Sequence, residues 1–376
     1  FELIGVLLPR SGNFTDAAEK VLRGLLIAHY DYMQKFPNSS IRVYDTELQG
    51  VEAAYQRAIA DGADALVGPL EKEQLNALLK STDIQIPMVA LNYSSTTPPS
   101  TQNTYLEFGL RAEDEAVQLA QFAKAQGYRR AVAMAPETEL GSRLNQAFKE
   151  EFERQGGTVL DSVSYDKNYK LLSDKVQNIL SLQDSDKRHK ALQSTLNIPI
   201  SFQPKIRQDA DFLALFALPI EARQIKPMID FYYGQELPIL SSSHIYSGVT
   251  EPSANADLNH ITFVDIPWVL ANQEVLTQTF GENLTDHNQY SRLNALGIDA
   301  HLILQHYPQI KSESNFGLQG ATGYLSLSNH HQIKRQMSWA QFRKGVAVLL
   351  EEQPQVTPDV MSEQQHKSVN PVAPIF

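Results

Sequence analysis

Short apolar runs alternate with amphipathic segments through the first two thirds of the chain. The opening run, Leu3–Leu8, has no polar position, which is typical of a parallel strand covered by helices on both faces. The next segment places Val21, Leu25 and Ala28 at helical spacing, so it predicts a helix with one buried stripe. The chain therefore opens with a strand and a crossover helix.

The same unit then repeats. We predict further strands at residues 41–44, 65–67, 88–91, 131–135, 158–164, 212–216 and 238–240. We predict helices between them at residues 51–60, 71–79, 113–126, 140–152, 171–180 and 220–232. This alternation indicates parallel sheets with right-handed crossover helices. The pattern restarts after residue 110 in a chain of 376 residues, and a typical domain has about 150. We therefore predict an α/β protein with two doubly wound parallel-sheet lobes.

Residues 183–208 interrupt this rhythm. Their basic side chains are Lys187, Arg188, Lys190, Lys205 and Arg207. Two aspartates accompany them, which leaves a local charge of +3 in a chain whose net charge is −11. One interpretation is a solvated excursion between a helix and a strand. The other is a surface that contacts a partner protein.

The last third has a different pattern. It predicts a strand at 261–264, a helix at 293–306 and a hairpin formed by 321–327 and 332–337. The end, 351–376, has four prolines, four acidic residues and little apolar periodicity. We predict that it is a flexible tail.

Composition excludes several classes of protein. With 42% hydrophobic residues the chain can form large cores, and its pI near 5.4 argues against general nucleic-acid binding. The absence of cysteine excludes disulfides and thiolate sites. No apolar run is long enough for a membrane span. The chain begins at Phe1, so we expect processing or trimming, with any export signal or lipid anchor lying upstream.

Residues typical of catalysis are not arranged for it. The sequence has no Gly-x-Ser-x-Gly motif and no phosphate-binding glycine motif. Ser243 and His244 are neighbours in sequence, but a serine and its base must meet in space, so a hydrolase is the weakest hypothesis. Glu113 and Glu115 are interpreted as part of a solvated helix face. We predict no catalytic residue, no metal site and no cofactor.

Loops at the carboxyl ends of parallel strands line the crevice of such sheets. The candidate cleft-lining residues are Ser11, Asn13, Thr46, Pro69, Asn92, Ser94 and Ser95 in the first series, and Pro136 and Tyr165 in the second. These hydroxyls and amides suit a small polar ligand, such as an amino acid, a sugar or a cell-wall fragment, or no ligand at all.

Several segments resemble known families. Residues 4–12 and 62–70 look like the first and third strands of type I periplasmic binding proteins. Five segments resemble one branch more closely, the LppC/LpoA lipoproteins: residues 108–116, 243–248, 265–268, 293–300 and 320–327. Residues 208–212 also fit. The resemblance extends from about residue 3 to residue 350.

This resemblance implies a regulator rather than an enzyme. Members of the family are outer-membrane lipoproteins that act in the periplasm and stimulate a class A penicillin-binding protein, the peptidoglycan synthase penicillin-binding protein 1A. The chain would correspond to the C-terminal domain, without the N-terminal helical repeats and the lipid-bearing cysteine. A small-ligand receptor, as in the wider superfamily, is the alternative.

The family fold also implies how the lobes share the chain. Three crossover segments, near 109–111, 243–248 and 321–325, would join two type I periplasmic-binding-protein-like lobes. The first lobe would combine 1–109 with 246–322, and the second would combine 110–245 with 323–350. The late hairpin would then complete the edge of the second lobe.

Overall fold

The computed structural model describes residues 1–95, 104–166, 171–197, 201–202, 204–271, 291–313, 315–328 and 331–350. Two compact units divide these residues. The first unit contains Phe1–Leu110 and Ile266–Met337, and the second contains Arg111–Asp265 and the described part of Ser338–Ala373. Within the described residues, no helix is both long enough and apolar enough to cross a membrane.

A five-stranded parallel sheet forms the centre of the first unit, in the order β2-β1-β3-β4-β5. Its strands are β1 (Leu3–Leu8), β2 (Ser40–Asp45), β3 (Ala65–Val67), β4 (Met88–Ala90) and β5 (Tyr105–Glu107). The helices between them are α1 (Thr15–Lys35), α2 (Thr46–Gln49), α3 (Val51–Ala60) and α4 (Lys72–Ser81). Val6 of β1 belongs to the core cluster that contains the stripe of α1, and Leu7 belongs to the cluster on the other face with α3 and α4. The apolar strand is therefore covered on both faces, as predicted.

The first unit also receives a later part of the chain. This part contains α10 (Pro267–Leu270), α11 (Ser291–Gln305), α12 (Tyr307–Ser312), β11 (Gly317–Gln319), β12 (Tyr324–Leu327) and β13 (Ile333–Gln336). The strands β11, β12 and β13 form a small antiparallel sheet, which confirms the predicted hairpin. Its assignment to the second lobe differs from the structure, because Leu325 and Ile333 pack in the core of the first unit.

The second unit is built around a seven-stranded sheet in the order β15-β14-β10-β9-β8-β6-β7. Its strands are β6 (Arg130–Pro136), β7 (Thr158–Tyr165), β8 (Phe212–Leu215), β9 (Ile239–Ser241), β10 (Thr262–Asp265), β14 (Ser338–Arg343) and β15 (Val346–Leu349). Its helices are α5 (Ala112–Ala125), α6 (Glu139–Arg154), α7 (Leu172–Ile179), α8 (Leu182–Leu196) and α9 (Pro219–Phe231). Strands β6 to β10 are parallel, and β14 and β15 add an antiparallel edge.

The unit boundaries agree with the expected first crossing and differ at the other two. The chain leaves the first unit after Leu110, returns to it at Ile266 and leaves it again after Met337. Residues 246–265 stay with the second unit because β10 pairs with β9 and β14. Residues 323–337 stay with the first because their hairpin packs into its core. The predicted tail, 351–376, lies outside the described residues.

Candidate functional site

The strand-end loops of the first unit lie at one edge of its sheet, because all five strands are parallel. Ser11 and Asn13 follow β1 and are exposed. Thr46 follows β2 and is buried. Pro69 follows β3 and is joined to Gly68 by a cis peptide bond. These residues therefore lie at the carboxyl-end edge of the sheet, and their role in lining a cleft stays a prediction.

The polar groups after β4 bond to the protein itself. The Asn92 side-chain amide donates to the Leu70 carbonyl oxygen at 3.0 Å. The Ser94 hydroxyl and backbone N–H both donate to a carboxylate oxygen of buried Glu107. The Ser95 backbone N–H donates to the Asn76 side chain at 2.9 Å. These side chains fix the loop to β5 and α4, and their hydrogen-bonding capacity is largely used there.

The two candidates of the second unit lie side by side at the ends of β6 and β7, where Pro136 pairs with Tyr165. Tyr165 is 2% exposed, and its hydroxyl lies 3.0 Å from the Phe216 carbonyl oxygen and 2.8 Å from Glu221 Oε2. The same carboxylate accepts the Leu218 backbone N–H at the start of α9. Tyr165 thus links β7 to α9 from inside the second unit.

Glu115 organises the serine–histidine segment that was considered for hydrolysis. Its buried carboxylate accepts the backbone N–H and the hydroxyl of Ser243, both at 2.9 Å. His244 Nδ1 lies 3.6 Å from the same carboxylate, and the Ser242 hydroxyl lies 3.3 Å from that same nitrogen. A triad needs the serine on one ring nitrogen and the acid on the other. The contact is therefore structural, and the interpretation of Glu115 as a solvated residue is wrong.

Asp299 makes a comparable contact in the first unit. This fully buried residue of α11 accepts the backbone N–H groups of Ala321 and Thr322 at 2.7 Å, together with the Thr322 hydroxyl. Burial raises the pKa of Asp299 to about 6, against the opposing effect of these donors. A carboxylate inside an apolar helical pattern was the sequence signal for this role.

These two carboxylates connect the segments that carried the family resemblance. Glu115 lies in 108–116 and binds the segment 243–248. Asp299 lies in 293–300 and binds the segment 320–327. Each pair meets within one unit. Part of the distinctive sequence of these segments is therefore explained by contacts inside each unit.

The basic stretch contains a helix that the sequence analysis missed. In α8, Lys187 pairs with Asp184 at 3.3 Å and Lys190 pairs with Asp186 at 2.7 Å. These spacings of three and four residues support a helix with little apolar content. Arg207 has a side chain only 10% exposed and pairs with Asp209 at 2.8 Å. Three of the five basic candidates are thus paired within the second unit.

Arg188 and Lys205 differ from the other three. Both are exposed, and neither has an ion pair among the residues that the structure describes. The uncompensated positive charge of this stretch is therefore concentrated on these two side chains.

An apolar surface on α9 also belongs to the second unit. Ile220 and Phe231 are 61% and 76% exposed, and they stand on one side of the helix together with Pro227, which we call the α9 face. An open cavity of about 520 Å³ lies beside it, lined by Ser173, Arg223, Gln224, Pro227, Met228, Phe231 and Tyr232. Exposed apolar surface of this kind is typical of binding surfaces.

Across the parts of the chain with described positions, no three histidine or acidic side chains are grouped to bind a metal ion.

Two α/β units with parallel sheets define the class of periplasmic-binding-protein-like folds. A putative branched-chain amino acid ABC transporter protein from Rhodospirillum rubrum shares this fold at a TM-score of 0.66 and 14% identity, over 93% of this chain and 99% of that chain. The family model described as LppC putative lipoprotein matches residues 1–345. The chain belongs to this family, which confirms the resemblance seen in the sequence.

Relatives within the family are named penicillin-binding protein activators. The penicillin-binding protein activator LpoA of Vibrio antiquarius (strain Ex25) is 30% identical over 345 residues, which are 89% of this chain and 56% of the relative. The LpoA C-domain from Haemophilus influenzae, described as a regulator of PBP1A, matches with a TM-score of 0.70 and 25% identity, over 93% of this chain and 99% of that chain. This chain spans about half the length of the curated relatives it matches.

Proposed function

We propose that this chain is a non-catalytic regulatory domain that binds PBP1A, a class A penicillin-binding protein and peptidoglycan synthase, and stimulates it. The observation that carries the proposal is the match to the Haemophilus influenzae C-domain, which extends over 99% of that regulator. The domain acts on the periplasmic side of the outer membrane, in a longer protein anchored there by lipid. It needs no metal or cofactor.

Stimulation by such a domain has a simple thermodynamic requirement. A bound regulator shifts the synthase toward its active conformation only if it binds that conformation more tightly than the inactive one. The free energy that shifts the synthase therefore comes from contacts at a docking surface, and the regulator needs no reacting group. The contact between Glu115 and Ser243 supports this proposal, since the serine hydroxyl donates to a buried carboxylate in a structural contact.

A receptor for a small polar ligand is not favoured. Such a receptor presents unbonded polar groups at its strand ends. Here Asn92, Ser94 and Tyr165 are engaged with other parts of the protein. Docking to a protein partner is therefore favoured over ligand binding by the remaining cleft candidates.

We further propose that the contact surface includes the basic stretch of the second unit, centred on Arg188 and Lys205. Acidic partners in that unit already pair with Lys187, Lys190 and Arg207. These three side chains therefore add little uncompensated charge to the surface. An acidic patch on the synthase is the complementary partner.

The test measures binding to purified PBP1A and its rate of glycan synthesis with this chain alone. Wild-type chain should bind and raise the rate, and the double charge reversal R188E/K205E should weaken binding by about tenfold. The matched control is K80E/K149E, which reverses two other exposed lysines and should bind like wild type.

Two results would contradict the proposal at different levels. A wild-type chain that neither binds nor stimulates the synthase would remove the function itself. Full binding by the R188E/K205E variant would contradict only the proposal that the basic stretch is the contact surface. In that case, loss of binding in a Phe231→Ser variant would identify the α9 face as the contact surface.

A further inference from the structure

The helices α1 and α11 of the first unit pack with their backbones in direct contact. A Cβ atom added at Gly24 would lie 1.9 Å from the Asn294 carbonyl oxygen, and Gly297 approaches α1 in the same way. Glycine at these two positions permits an approach that no side chain would allow. The contact is therefore close-packed, and it has little room to rearrange around a new charge.

Two histidines meet inside this contact. His29 of α1 is 5% exposed and His301 of α11 is fully buried. His29 Nδ1 lies 3.1 Å from His301 Nε2, and the side-chain amide of Gln305 lies 2.7 Å from His301 Nδ1. If the Gln305 amide donates to Nδ1 of His301, the His301 proton is on Nε2. His301 then donates from Nε2 to Nδ1 of His29. This assignment satisfies the contact with both rings neutral.

Protonation disrupts this arrangement in two stages. One added proton leaves a buried positive charge, because neither imidazole has an ion pair with a carboxylate among the described residues. A second proton places N–H against N–H at the 3.1 Å contact, with two like charges. Either charge is costly in a close-packed apolar contact.

The surrounding groups add no ion pair to either ring among the described residues. Tyr32 presents its ring to His301 with centroids 5.3 Å apart. Burial lowers the pKa of His301 to about 3, and the charge of His29 acts in the same direction. Burial also lowers the pKa of His29, although the Ser39 backbone acts in the opposite direction.

We propose that the His29–His301 pair is an acid-sensitive contact between α1 and α11: the two neutral rings join the helices near neutral pH, and proton uptake separates them in acid. This device is independent of the proposed function, because it concerns the internal stability of the first unit.

The direction and size follow from proton linkage. Both histidines have a folded pKa below the unfolded value of about 6.5, so their stabilising effect is complete above that pH and is lost as pH falls below it. From pH 7.5 to 5.5, His301, with its folded pKa of about 3, raises the opening equilibrium constant by about tenfold. The lowered pKa of His29 acts in the same direction.

Asp299 on the same helix acts in the opposite direction. Its pKa is raised to about 6, so its protonation in the folded state opposes opening by about fourfold over the same pH interval. The decisive comparison is therefore between wild type and a variant in which only the two histidines are replaced.

The experiment measures amide hydrogen exchange of α1 and α11 at pH 7.5 and 5.5, corrected for the chemical exchange rate. In wild type, protection should fall by at least about twofold in these helices after the opposing effect of Asp299, with no comparable fall in β6 and β8 of the second unit. The variant H29N/H301Q keeps polar groups near the ring nitrogens but does not titrate, and its protection should not fall. The control His260→Asn replaces an exposed histidine in the second unit and should behave like wild type.

Three results would overturn the proposal. They are an unchanged protection in wild type, an equal fall in the second unit, or a fall that persists in H29N/H301Q. If that variant does not fold, nuclear magnetic resonance of the imidazoles in folded wild type decides. His301 should remain neutral down to pH 5.5, and a titration of either ring near its unfolded value of about 6.5 would contradict the proposal.

Discussion

Gly297 lies directly against the backbone of Val21, so that a Cβ atom at position 297 would be only 2.0 Å from the Val21 carbonyl oxygen. The same added atom would lie 2.8 Å from the Leu25 backbone nitrogen. Backbone atoms in the middle of a helix cannot move aside as a flexible side chain can. This glycine therefore determines how closely α1 and α11 can pack.

We expect Gly297→Ala to destabilise the first unit by about 3 kcal/mol. Alanine is the better helix former by about 1 kcal/mol, so propensity alone predicts the opposite sign. Urea denaturation followed by circular dichroism measures the difference. The comparison variant is Gly62→Ala, which has open space around the added atom but a φ of +86°, and should lose only about 1 kcal/mol. Equal losses in the two variants would contradict the role of close packing.

Glu115 and Glu113 provide a second comparison on one helix. Glu115→Ala removes the acceptor of two buried bonds from Ser243, so we expect a loss of about 2–3 kcal/mol in the free energy of unfolding. Glu113 makes an ion pair with the half-exposed Arg143, and Glu113→Ala should cost no more than about 1 kcal/mol. Denaturation of both variants under one set of conditions tests the difference. If the Glu113 variant is the less stable, the importance assigned to the Ser243 contact is wrong.

Asp299 predicts a dependence on pH with a definite sign. Asp299→Asn leaves one buried N–H of Ala321 or Thr322 without its acceptor, and should cost about 2 kcal/mol at pH 5. The folded pKa of about 6 exceeds the unfolded value of about 3.9. Protonation of Asp299 therefore stabilises the folded wild-type protein at low pH, and this contribution is lost as pH rises through about 6.

The stability gap between wild type and Asp299→Asn should accordingly narrow by roughly 1 kcal/mol from pH 5 to pH 7.5. Thermal or urea denaturation of both proteins across this range measures it, and contributions from other titrating groups cancel in the difference. A gap that widens with pH would mean that the carboxylate is stabilised by its donors more than it is penalised by burial.

Much of the architecture follows from local pattern. The apolar run of β1 and the spacing of Val21 and Leu25 predicted a strand covered on both faces and a helix with a buried stripe, and both are present. The repetition of this unit predicted the parallel sheets. Such patterns can be read from sequence because period and burial are properties of neighbouring residues.

Helix α8 shows where local pattern was insufficient. Its apolar residues are few, and its ion pairs Lys187–Asp184 and Lys190–Asp186 are visible in sequence only once a helix is assumed. The same arrangement reduced the basic surface to Arg188 and Lys205. The hairpin β12–β13 was found, but the unit to which it belongs depended on where Leu325 and Ile333 could be buried.

The sequence by itself determined the strand–helix alternation, the parallel sheets and the family, because each depends on patterns within short segments of the chain. Only the tertiary structure decided which distant groups meet. Glu115 contacts Ser243, which is 128 positions away in sequence, and His29 contacts His301, which is 272 positions away. The physical reason is that a buried polar group must be satisfied by whatever the packing brings beside it, and packing joins residues that no local periodicity relates.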